Sequence, residues 1–98
     1  MALRKSIIQV IHQCRHPKCC RTQGLISHEV FYGTANRKKS IEDGMVIYLC
    51  NEHHNMSNEA IHSDHEWDLQ EKKKAQMIWE MTYGDRDAFR KRYGRSYL

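Results

Sequence analysis

Cys14 and Cys19 stand in C-x4-C spacing, and Cys50 and His53 form a C-x2-H pair further along the chain. Two such half-sites can close one tetrahedral zinc site, because thiolate and imidazole are the donors zinc prefers and a short spacer lets both members of a pair face one ion. The ion would clamp the segment before one strand to the turn after another, and in a chain this short metal binding couples directly to folding. His16 competes for the first pair, since His16-x2-Cys19 is also good ligand spacing, and Cys20 offers a further thiol. The plain alternative is that the cysteines are small buried apolar residues.

A second constellation is His28-Glu29 together with the stretch from His54 to His62. On a helix, His54 and Asn58 would present a nitrogen and an oxygen to one point. His28 from an adjoining strand would complete a mixed N/O site, suited to a divalent ion that keeps positions open for water and phosphate. Such an ion stabilises the leaving alkoxide in phosphodiester hydrolysis, while a neighbouring base takes the proton of the attacking water. Seven histidines in 98 residues also meet by chance, so surface or packing roles stay open on spacing alone.

These residues need elements to hold them. Leu25 to Tyr32 alternates as a strand does, and Met45 to Cys50 reads as a second strand bounded by Gly44. Ser6 to His12 is β-branched and short, fitting either a strand or a helical turn. Gly33 to Gly44 is polar and too long for a tight hairpin, so it is expected as a loop. From Asn51 the composition turns helical, with Asn51 or Asn55 as the cap. Glu66 to Thr82 is the longest helix expected, its acidic residues preceding Lys72, Lys73 and Lys74 as the helix dipole prefers. A short helix over Arg86 to Arg92 opens at Gly84-Asp85 and closes at Gly94.

Length and composition set the frame. Ninety-eight residues with neither repeat nor linker argue for one α+β domain with too little interior for a fully walled pocket. A mean hydropathy of −0.82 and the lack of a long apolar run exclude a membrane span, and the first residues lack the pattern of a signal peptide. Unexported cysteines stay reduced, which favours metal ligation over disulfides. The net charge of +4 leans toward a polyanionic partner.

The run from His28 through Asn36-Arg37-Lys38-Lys39-Ser40, then Gly44 through Leu49-Cys50-Asn51-Glu52-His53-His54-Asn55, resembles the HNH endonuclease family, and small phage-type members above all. Phe89 and the ending from Tyr93 to Leu98 are similar as well. The resemblance implies a ββα-metal (His-Me finger) core over about residues 14–62, a helical extension over about 63–98, a structural zinc and a catalytic divalent cation such as Mg2+ or Mn2+. It implies DNA as substrate, and a phage or prophage protein in the cytoplasm of a bacterial host.

By that likeness His28 and His54 bind the catalytic ion, Asn58 is the second ligand after the strand pair, and Cys14, Cys19, Cys50 and His53 are the zinc set. Glu29 stands where the family usually has the histidine that activates water. It acts as the base there, or it joins the ion and leaves His28 as base. The position of the family's middle asparagine holds Met45, and Asn36 in the inter-strand loop is the best substitute. Arg37, Lys38 and Lys39 would neutralise phosphates beside the scissile bond. A second basic cluster, Arg86, Arg90, Lys91, Arg92 and Arg95, is interleaved with Phe89, Tyr93 and Tyr97; Phe89 and Tyr93 are expected to pack on the core. The runner-up function is a zinc-stabilised nucleic-acid-binding module that no longer cleaves.

Overall fold

Five paired residues from each of two strands make the only sheet among the described residues. The computed structural model describes residues 3–57 and 59–98. Strand β1 (Leu25–Glu29) runs antiparallel to β2 (Val46–Cys50), with Leu25 opposite Cys50 and His28 opposite Ile47. β2 is buried along its whole length. Its second edge is closed by the segment leading to Cys14: the Tyr48 N–H donates to Gln9 Oε1 at 2.9 Å, and the Arg15 N–H donates to the Tyr48 carbonyl at 2.9 Å. An edge strand is thereby capped by a side chain and a loop instead of a third strand. The segment over Ser6 to His12 adopts neither of the two conformations expected of it; it is irregular chain pinned to β2.

The inter-strand stretch is not all loop. Arg37–Glu42 forms helix α1, although its charges give it no apolar stripe of its own. What holds it is Ser40, wholly buried, whose hydroxyl accepts from the Phe31 N–H at 3.2 Å and donates to the Met45 carbonyl at 2.6 Å. Gly44 follows at φ +73, where a Cβ would meet Ile7 at 3.1 Å, so glycine is needed for both conformation and space.

After β2 the chain makes one π-helical turn, Glu52–Met56, instead of the longer helix expected there, and the Asn51 side chain makes no capping bond. The long helix α2 (His65–Thr82) starts later, capped by Asp64, whose carboxylate accepts from the Trp67 N–H at 3.0 Å. Helix α3 (Arg86–Tyr93) is capped by Asp85 and ends on Gly94 in the left-handed region. Trp79, Phe89 and Tyr93 close over Val30, Phe31, Met45, Ile47 and Leu49 in one core.

Asp43, at the end of α1, ties the helices to that core. Its carboxylate accepts from Trp79 Nε1 at 2.8 Å, from Tyr93 Oη at 2.7 Å and from Arg92 Nε at 2.6 Å. A buried carboxylate is tolerated where its lone pairs are filled in this way. Asn36 and Lys39 serve the same junction from α1, donating to the carbonyls of Tyr93 at 3.1 Å and Arg92 at 2.7 Å, which α3 leaves open at its C-terminus. No helix among the described residues is long and apolar enough to cross a membrane.

Candidate functional site

The N-terminal segment and the end of β2 bring Cys14, Cys19, Cys50 and His53 into one cluster, with all donor atoms within 4.8 Å of one another. His53 Nδ1 is 3.2 Å from Cys50 Sγ and 3.6 Å from Cys14 Sγ. Those spacings fit the edges of a tetrahedron with metal–ligand legs of ~2.0–2.3 Å, so these four residues form a possible metal site. Burial pushes the Cys14 thiol up. It does the same at Cys50, but hydrogen bonds from the His53 backbone and ring outweigh it and bring that thiol below its ordinary value. Cys50 is thus more readily ionised than Cys14, and thiolate is the form that ligates metal.

His16 and Cys20 stay outside this cluster. The His16 ring stacks on His53 with centroids 4.0 Å apart, and Cys20 is exposed. Behind His53, the Glu59 carboxylate lies 3.8 Å from Nε2. A carboxylate behind a ligating histidine favours the tautomer that leaves the other ring nitrogen free for the ion. Nothing in the local spacing of Glu59 signals that position.

The second cluster lies on the other side of β1. His28 points inward and is 3% exposed, and its Nε2 is the one buried side-chain polar atom without a partner among the described residues. His54, from the π-helical turn, and His62 join it, with ring centroids 5.2 and 5.1 Å from His28. His54 and His62 face each other at 3.0 Å between Nε2 atoms. That is the spacing of adjacent ligands on one ion with legs of ~2.0–2.1 Å. Burial, then the neighbouring His54 and His62, push the His28 ring down to about 3, and burial lowers His54 as well. Both rings are therefore neutral near pH 7, the form in which imidazole binds metal.

An open pocket of about 200 Å3 exposes this cluster, lined by Ser27, Glu29, Tyr32 and Arg37 besides the three histidines. Glu29 sits at its wall with Arg37 Nε 3.5 Å from the carboxylate. The other expected residues fall differently. Asn36 is not among the pocket-lining residues and its amide is committed to α3. Lys38 is exposed and Lys39 is bound to the Arg92 carbonyl. Asn58 lies outside the described residues. His62 supplies the imidazole that spacing alone did not single out as a ligand.

No protein-family model matches the chain, and neither the curated proteins nor the solved structures contain a match to it.

Proposed function

We propose that the protein is a metal-dependent endonuclease of the HNH type, with a ββα-metal core, that hydrolyses phosphodiester bonds in DNA. The observation that carries this reading is the buried, unpartnered Nε2 of His28 beside His54 and His62 in an open pocket. Leaving such a nitrogen unpaired costs about 1–3 kcal/mol, and a cation shared with two neutral imidazoles removes that cost. A divalent ion that accepts imidazole nitrogen, such as Mn2+ or Ni2+, held there by His28, His54 and His62 would supply Lewis-acid stabilisation of the negative charge on the phosphate and its leaving oxygen. The chain's own groups do the rest. Glu29 accepts the proton of the attacking water, and Arg37 at the rim meets the incoming phosphate together with the exposed Lys38. The three-thiol, one-imidazole set is read as a structural zinc site that fixes the turn from which His54 projects.

Nicking of supercoiled plasmid by the zinc-loaded protein, with Mg2+, Mn2+ or Ni2+ added, tests the reading. Wild type should nick, and His28→Ala should be slower by at least about 100-fold. Wild type failing with every ion would overturn it. The second reading, a zinc-stabilised nucleic-acid-binding module without cleavage, is favoured by one observation: the Asn36 amide serves the Tyr93 carbonyl and leaves the pocket without that asparagine. Salt-dependent binding without nicking is its signature.

A further inference from the structure

The last residues of the chain run back toward the histidine pocket and are held there by one buried side chain. Gln76 on α2 is fully buried; besides donating to Glu80 Oε2 at 2.7 Å, its amide bonds two groups on the tail. Nε2 donates to Ser96 Oγ at 2.9 Å, and Oε1 accepts from the Tyr97 N–H at 2.7 Å. A buried amide satisfied in this way fixes the tail's position firmly. Tyr97 stacks on Phe31 with centroids 5.6 Å apart, and Arg95 lies over the Tyr97 ring at 4.8 Å.

From the tail a continuous series of contacts leads to the pocket. Lys72 Nζ sits 5.5 Å from the Tyr97 ring and 4.2 Å from the Tyr32 ring. Tyr32 lines the pocket, with its ring 5.5 Å from His62 and 5.8 Å from His28. Asp68, buried on α2, accepts from Lys72 Nζ at 2.7 Å and from Tyr32 Oη at 3.1 Å, so one carboxylate fixes both groups. Cations and rings therefore alternate from the histidines outward: Tyr32, Lys72, Tyr97, Arg95. Arg95 is exposed, and among the described residues no carboxylate pairs with it.

We propose that this series is the path of the nucleic-acid strand away from the histidine pocket, with Arg95 contacting a phosphate on one side of the bond to be cut and Lys72, paired with Asp68, holding the Tyr32 and Tyr97 rings in line. The proposal rests on the reading of the pocket as a nuclease centre acting on DNA. Its physical basis is that rings placed beneath cations hold them extended and partly desolvated, which strengthens contact with a phosphate and limits the entropy lost on binding. The partner it fits is a polyanionic backbone, and the recognition is of phosphate rather than sequence.

The test is fluorescence anisotropy of a short fluorescein-labelled DNA duplex, with zinc-loaded protein, no other divalent ion and a series of NaCl concentrations. Arg95→Gln should weaken binding about three- to tenfold and reduce the slope of log Kd against log salt by about one. Lys74→Gln, exposed on another face of α2, should match wild type. Arg95 is a surface residue, so its variant keeps the fold; circular dichroism verifies this. An Arg95→Gln protein with wild-type affinity and salt slope overturns the path while leaving the nuclease reading intact. Arg95-dependent binding by a wild type that never nicks DNA supports the path and removes the hydrolytic reading. A wild type that binds no duplex removes both.

Discussion

His62 Nε2 lies 3.0 Å from His54 Nε2, and a buried isoleucine is the reason. Ile61 is 1% exposed and its N–H donates to the His53 carbonyl at 2.8 Å, which folds the chain after the π-helical turn back over itself. The core buries Ile61, and the next residue is thereby turned into the pocket. Single π-helical turns often sit where a side chain must be aimed off the regular helical spacing. Here such a turn carries both His53, toward the thiols, and His54, toward His28.

His62→Ala removes one of the proposed ligands without touching the core. Mn2+ affinity measured by calorimetry should fall by at least about 100-fold, more than the loss of a residue behind a ligand usually costs, and nicking should fall with it. Zinc content should stay at the wild-type level, because the thiol cluster uses His53. Unchanged Mn2+ binding would remove His62 from the site.

The thiol cluster should hold one zinc per chain through purification, detectable by elemental analysis. Cys50→Ala should abolish the cooperative thermal transition, since the metal links the N-terminal segment to the end of β2. Cys20→Ser, at an exposed position outside the cluster, should change stability by no more than about 0.5 kcal/mol. A folded, zinc-free wild type would refute the assignment.

Glu29→Gln is nearly isosteric and removes only the charge and the basicity. If Glu29 takes the proton of water, this variant keeps its DNA affinity and loses about two to four decades of nicking rate. Equal rates would move the base to another group lining the pocket.

The pH dependence of stability carries the sign of His28. An unfolded histidine titrates near 6.5 and the buried ring only at about 3. Between those values the unfolded chain binds a proton that the folded chain refuses, so stability falls as pH drops through that window. His28→Gln has no such proton to bind. Its urea midpoint should fall less than that of wild type between pH 7 and pH 5, and acid loss of zinc, common to both proteins, cancels in the comparison. A parallel decline would contradict the buried placement of the ring.

Asp43→Ala should be among the most destabilising single substitutions. It strips partners from Trp79 and Tyr93, which are buried, and from Arg92, which is part exposed, and each buried donor left without a partner costs about 1–3 kcal/mol. Urea unfolding of the variant gives the value directly. A loss below about 1 kcal/mol would mean that water replaces the carboxylate.

Local chemistry decided what could be read from the residues alone. Both strands follow from short β-rich runs bounded by glycine. The long helix α2 and the short helix α3 follow from residue pattern, with Asp85 before α3 and Gly94 after it as legible stops. The Cys14, Cys19, Cys50 and His53 grouping is legible because each pair is close in sequence and thiol–imidazole chemistry leaves few uses for it. Tertiary structure decided the rest. Helix α1 forms from residues that read as loop, because buried Ser40 and Asp43 anchor it from outside its own pattern. Asn36 turns to the end of α3, where unpaired carbonyls demand a donor. His62 and Glu59 reach their clusters only because burial of Ile61 closes a turn, and no periodicity in the sequence encodes a long-range hydrophobic contact.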